Sequence, residues 1–300
     1  MKKTVLSRIC AAFAASAMLV AGVSCGSNSE SSETGSENKA ETPASSSETA
    51  NSSSESTAAE GEDNSLQTVL DNGELILGLD ASFPPMGFTD EKNEIIGFDI
   101  DVAQEVCDRM GIELVKQPIN WDTKEQDLDV GRIDCIWNGM SINASRQEAM
   151  NLSDPYMKNE MIFVVPADSD VKSMDDLKGK TIGVQSGSSA QEILEGWENY
   201  GDITVTPLDD NVEALRQMEM NFSDAVFLDS IVANYFITSN DKDYVILPGN
   251  LESEEYAIGF RKGDQALRDE VQKQLSEMKK DGKLAEISEK WFGSDVTTVE

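Results

Sequence analysis

Ile133-Asp134-Cys135-Ile136-Trp137-Asn138-Gly139-Met140-Ser141-Ile142-Asn143-Ala144-Ser145-Arg146 is an apolar run that turns polar and ends on a guanidinium. Residues 133–137 read as a buried strand, with Asn138 and Gly139 marking its end. Ser145 can cap a short helix running through Met150. An arginine just past a strand offers a planar fork of N–H donors, which suits a carboxylate. Taken alone, Arg146 reads more simply as an exposed ion pair with an acid such as Glu148.

Outward from that stretch, strands and helices alternate. Apolar strands are expected at 75–79, 114–115, 161–165, 181–184, 203–205, 225–228, 244–247 and 256–260. Helical spacing runs from Phe98 to Met110, where Gly111 stops it, and again over 123–130, 190–200, 211–220, 265–280 and 284–291. Repeated strand–helix–strand units call for a mainly parallel sheet covered by helices on both faces. Two such groups call for two lobes. In open α/β sheets a ligand sits at the carboxyl ends of the strands. The polar residues collect there: Asp80, the 138–141 stretch, the 186–189 turn and Asp229.

The first residues differ in kind. Met1-Lys2-Lys3 and Arg8 precede an apolar run over 9–23, too short for a comfortable membrane span. Small residues then lead to Cys25, as in a bacterial lipoprotein signal, although Gly22 stands where such signals usually carry leucine. An ordinary secretion signal or an uncleaved anchor is the alternative. Segment 1–24 is thus expected to be a signal peptide and Cys25 the lipidated residue. Residues 25–65, rich in Ser, Glu and Thr, cannot bury enough surface to fold and read as a disordered tether. The expected location is the outer face of a cell membrane.

The net charge of −32 argues against nucleic acid, whose phosphates it would repel. With no histidine in the chain, the commonest general base and the commonest metal ligand are both missing. No metal and no cofactor are expected. Cys107 and Cys135 read as packed thiols rather than a bridge.

At this point the motifs form a set. Asp80-Ala81-Ser82-Phe83-Pro84-Pro85-Met86, Gly97-Phe98-Asp99-Ile100-Asp101, the 138–146 stretch, Ser153-Asp154-Pro155-Tyr156, the 175–189 segment with its Ser-Gly-Ser turn, and Lys290-Trp291-Phe292 occur in order. Together they resemble the polar amino-acid-binding proteins of ABC importers, the extracellular solute-binding family 3. The resemblance implies a two-lobed periplasmic-binding-protein fold of type II. It would place residues 66–158 and 252–300 in lobe 1 and 159–251 in lobe 2, joined by two hinge crossings. It implies a monomer that binds an L-amino acid and delivers it to a membrane permease, without catalysis.

Residue by residue, the resemblance gives Arg146 the α-carboxylate, with Ser188 and Ser189 adding N–H groups from a helix N-terminus. Asp229 would accept from the α-ammonium, beside Ser141 and Gly139. Phe83 and Trp121 would stack on the side chain. Asp80, Asn138, Met140 and Gln185 complete the expected pocket. With Asp80 present and Gln185 where a cation would be needed, an acidic ligand is disfavoured. A neutral or basic polar amino acid is expected, with cystine-like ligands open.

Simpler roles exist for several of these. Phe83 and Trp121 could be core aromatics, Trp137 belongs in the core, and Asp99 and Asp101 suit the start of a helix. Glu125 could face the pocket or water. Two other classes stay open. One is a cyclohexadienyl-dehydratase-like enzyme, with Asp80 or Glu125 as general acid. The other is a ligand sensor acting through a separate membrane partner.

Overall fold

The structure is a computed structural model that describes residues 62–239 and 242–300. The expected signal segment and Cys25 lie outside the described residues, as does most of the expected tether. Its last residues do not. Asp63 accepts from the Ser65 and Ala266 amides, and Ser65 Oγ accepts from the Leu267 amide at 3.1 Å. These contacts seat a helix, α1 (Ser65–Asn72), whose Val69 enters the core. The tether boundary at residue 65 is therefore too late. A polar stretch can be ordered by pairing with a distant helix, which composition does not reveal.

The remaining elements follow in order. β1 (Glu74–Leu79) leads to a small antiparallel sheet of β2 (Ser82–Phe83), β3 (Gly87–Thr89) and β4 (Ile95–Ile96). Then come α2 (Phe98–Met110), β5 (Glu113–Pro118), a 3-10 turn at Trp121–Thr123, α3 (Lys124–Asp129), β6 (Cys135–Ser141), α4 (Ala144–Ala149), β7 (Asn151–Leu152) and β8 (Met157–Pro166). A second group holds β9 (Thr181–Gln185), α5 (Ser189–Gly196), β10 (Thr204–Leu208), α6 (Asn211–Glu219), β11 (Ala225–Asp229), α7 (Ser230–Ser239) and β12 (Tyr244–Ile246). β13 (Glu252–Phe260) returns to the first group, and α8 (Gln265–Asp281) and α9 (Lys283–Phe292) finish the chain.

The main strands form one hydrogen-bonded path, β10-β9-β11-β8-β13-β6-β1-β5, rather than two separate sheets. β1 is parallel to β5 and β6, and β9 is parallel to β10 and β11. The join is antiparallel: Met157–Met161 of β8 pairs with Glu252–Tyr256 of β13. Beyond that ladder β8 pairs with β11 and β12, and β13 with β6. The chain thus passes twice, side by side, between a first half carrying β1, β5 and β6 and a second carrying β9 to β12.

Burial explains the elements. Leu75, Leu77 and Leu79 of β1 are fully buried with Phe98 and Val106 of α2. In the second half Phe163, Val184 and Phe227 share a cluster, with the two phenyl rings 4.6 Å apart. Trp137 is core, as expected, and Cys107 and Cys135 are free and buried.

β6 departs from expectation. It begins at Cys135, not 133, and continues through Asn138 and Gly139 to Ser141. An Asn-Gly pair normally ends a strand because glycine accepts a positive φ. Here Gly139 does take φ +57°, yet Met140 and Ser141 go on pairing with Ala257 and Tyr256 of β13, beside a register shift at 257–259. The glycine makes an irregularity within a ladder instead of a turn. The cap of α4 also shifts: Asn143, not Ser145, accepts from the Arg146 amide, at 2.9 Å.

Candidate functional site

The strand ends of the two halves face each other across a cavity with about 280 Å³ of space free of atoms. From the first half, Asp80 follows β1, Phe83 ends β2, Trp121 opens the 3-10 turn, and Asn138, Gly139 and Ser141 come from β6. Arg146 reaches in from α4. From the second half, Gln185 ends β9, Ser188 and Ser189 begin α5, and Asp229 ends β11. Met140 is the exception. Its side chain packs with Trp121, Leu128, Ile136 and Met150, in the space beside Gly259 that a Cβ there would take. The resemblance placed it in the expected pocket, but its side chain joins this apolar cluster.

Arg146 is buried and its Nη1 donates to the Ser141 carbonyl at 2.8 Å. Among the described residues no carboxylate lies within ion-pair distance of it. Burial pushes its guanidinium pKa down, while Glu192, Glu125, Glu254 and Asp229 draw it back up. A guanidinium carries five N–H donors, and among the described residues one of them finds an acceptor. The rest can serve an anion in the cavity.

The opposite polarity stands nearby. Asp229 Oδ1 accepts from Asn159 Nδ2 at 2.8 Å and from the Tyr256 hydroxyl at 2.5 Å. Burial, with Glu254 nearby, raises its carboxyl to about 7. Asp80 accepts from the Ser82 amide and from Gln185 Nε2, each at 2.8 Å, and burial raises it to about 6. Asn138 Oδ1 holds the Asp80 amide at 2.9 Å. Ser188 caps α5 by accepting from the Gln191 amide, and the first-turn amides of a helix lack partners within it. The cavity therefore offers donors around Arg146 and Ser189 and acceptors at Asp229 and Asp80.

Several residues missing from the expected set support it. Asp99, read as a helix-start acid, is fully buried and holds the Gly139 amide at 2.7 Å and the Tyr156 hydroxyl at 3.0 Å. Burial raises its carboxyl to about 7. Lys124 is buried, with Nζ on the Trp121 and Gly187 carbonyls at 3.2 and 3.0 Å and on Glu125 at 3.1 Å. A lysine among acids gave no sign of burial. Glu254 is buried too, accepting from Ser141. It shares strand parity with the buried Tyr256 and Ile258, and that was a legible signal. Asn211 donates to Gln185 Oε1 at 3.2 Å. Glu125 pairs with Lys124 and is not part of the cavity wall.

Contacts cross between the halves at several points. Gln185 meets Asp80, Lys124 meets Gly187, Ser189 meets Ser141 at 3.1 Å, and Asn143 meets Glu192 at 2.9 Å. At Gly187, with φ +65°, an added Cβ would sit 2.6 Å from Asp122 Oδ1.

Comparison with known proteins shows the family. The chain is 31% identical over 238 residues to the L-cystine-binding protein TcyJ of Escherichia coli K12, covering 79% of this chain and 89% of that protein. It is 31% identical over 223 residues to the arginine-binding extracellular protein ArtP of Bacillus subtilis, covering 73% and 86%. An ABC uptake transporter substrate-binding protein from Streptococcus pneumoniae, solved with bound histidine, superposes with a TM-score of 0.75 at 37% identity, covering 79% of this chain and 99% of that one. Residues 75–294 match the model of one family throughout, so the chain belongs to the bacterial extracellular solute-binding proteins, family 3.

Proposed function

We propose that the protein is the substrate-binding component of an ABC importer and captures a polar L-amino acid with a neutral or basic side chain. Arg146 carries the proposal: a buried guanidinium with no carboxylate partner among the described residues, in the same cavity as Asp229. A zwitterion satisfies both at once. Its carboxylate meets Arg146 and the amides opening α5, and its ammonium meets Asp229, Ser141 and the Gly139 carbonyl. Phe83 and Trp121 flank the side chain, and Asn138 and Gln185 shape its end of the cavity.

With the zwitterion placed, Asp80 is the remaining charge. It favours a side chain that donates, as arginine, histidine, glutamine and the second ammonium of cystine do. Glutamate and aspartate meet repulsion there. Binding to both walls favours the state in which the halves touch. The same proposal includes lobes at 66–158 plus 252–300 and at 159–251, a monomeric protein, a signal peptide over 1–24, lipidation at Cys25, a flexible tether, and handover to a permease at the outer face of the membrane. Of the two acids a dehydratase reading would draw on, Glu125 pairs with Lys124 outside the cavity wall.

A thermal-shift screen of the amino acids tests this. A ligand at about a hundred times its dissociation constant stabilises by roughly 2.7 kcal/mol. Shifts with basic, amide or cystine ligands and none with glutamate are expected. No shift with any amino acid would remove the proposal. Replacing Cys25 by alanine should release the protein from the cell membrane.

A further inference from the structure

Glu254 does not touch the cavity, yet it governs one of its walls. It lies on β13, two residues before Tyr256 and on the same face, and is buried. Its Oε2 accepts from the Ser141 hydroxyl at 2.8 Å and faces Asn159 Nδ2 at 3.5 Å. Ser189 Oγ in turn donates to Ser141 Oγ at 3.1 Å. A hydroxyl has one proton and two lone pairs. Ser141 spends its proton on Glu254 and one lone pair on Ser189, so a single lone pair remains for the cavity. An ionised Glu254 only accepts, so the Ser141 hydroxyl donates to it, and Ser189, also within reach of Glu254, donates toward the same pair. Burial raises the Glu254 carboxyl, while the Ser141 and Ser189 hydroxyls and then Arg146 favour its charged form.

The neighbouring acceptor is prepared in the same way. Asn159 Nδ2 and the Tyr256 hydroxyl both donate to Asp229 Oδ1, which orients that carboxyl. Asn159 thereby touches both carboxylates and holds them in register.

We propose that Glu254 is a positioning residue that turns Ser141 into an obligate hydrogen-bond acceptor toward the cavity, so that this wall selects a ligand bearing a primary ammonium group. The inference rests on the amino-acid reading above and goes beyond it. It assigns ammonium recognition to a carboxylate outside the binding surface, acting through a hydroxyl. Without the acceptor at position 254, the Ser141 proton is free to turn into the cavity, where it opposes an ammonium.

Calorimetry can separate this from a structural role. The probes are L-arginine, L-histidine and L-glutamine, each beside its desamino counterpart: 5-guanidinopentanoate, 3-(imidazol-4-yl)propanoate and 4-carbamoylbutanoate. The readout is the preference of the protein for an amino acid over its desamino form. Glu254→Met is expected to reduce that preference about tenfold, the effect of one hydrogen bond involving a charged group. Glu254→Gln, whose amide oxygen can take the place of Oε2, should keep it. In a Ser141→Ala background Glu254→Met should change the preference no further. If Glu254→Met does not fold, Glu254→Ala carries the same expectation.

Equal weakening of amino acid and desamino form by Glu254→Met would overturn the inference and leave the binding function standing. So would an undiminished effect in the Ser141→Ala background. Failure of the wild-type protein to bind these or any other amino acid would overturn the function itself, and this inference with it.

Discussion

Arg146 shows how one residue can cost stability in one state and provide affinity in another. A charge out of water without a counter-charge is unfavourable, and among the described residues Arg146 has only the Ser141 carbonyl. Replacing it by methionine should therefore stabilise the ligand-free protein by about 1–3 kcal/mol on thermal melts. The same change should weaken amino-acid binding by roughly 2–5 kcal/mol in calorimetry, at least about thirtyfold. Buried carboxyls set a second opposition. Asp99 and Asp229 sit at about 7 and Asp80 at about 6, all above the usual 3.8 because burial favours the neutral form. Between pH 7 and 5 the folded state holds more protons at these sites than the unfolded chain. Their contribution then makes the ligand-free protein more stable as pH falls through that range, and less stable as it rises. Binding should run the other way, since an ammonium needs Asp229 ionised. Melts and calorimetry across pH 5–8 should show opposite slopes. Most of the cavity wall was legible from residues at strand ends. Lys124, Asn159, Glu254 and Asn211 were not named, because their roles come from neighbours more than sixty positions away, or from a hydrogen bond to another side chain.

At the scale of elements, α4 and β6 form one device for presenting Arg146. Asn143 caps α4 on the Arg146 amide itself, so the helix start fixes where the guanidinium leaves the backbone. Asn143→Ala should cost about 1 kcal/mol in stability. It should weaken binding as well, which separates it from a cap remote from the site. In β6 the positive φ of Gly139 leaves its Cα facing Phe83 and Tyr256, where a Cβ would sit 2.9 and 3.1 Å from their rings. Gly139→Ala should lower the melting temperature and the affinity together. Local patterning located both elements but misplaced their ends. Asn-Gly is a turn signal, and nothing nearby in sequence announces that β13 keeps pairing with Met140 and Ser141. Ser145 and Asn143 are both good caps, and only the backbone decides between them.

Over the whole molecule, alternating strands and helices revealed the mixed fold, while the continuous sheet through β8 and β13 was hidden, since its ladder joins residues over ninety positions apart. That paired crossing is a natural place for bending, because the rest of each half is tied to its own strands. Lys124 joins the halves on the far side of the cavity through the Gly187 carbonyl. Lys124→Met should leave association rates little changed and speed dissociation about tenfold in stopped-flow fluorescence, since this hydrogen bond from a charged donor is made only when the halves meet. Gly187 carries that contact further. With Asp122 Oδ1 only 2.6 Å from where its Cβ would be, the seam has no room for a single methyl group. A side chain at 187 is then a doorstop, and its size becomes a dial on how often the halves shut in the absence of cargo. A graded set of substitutions there would turn this receptor into a tunable reporter, its resting signal set by one residue that reads no part of the amino acid's side chain.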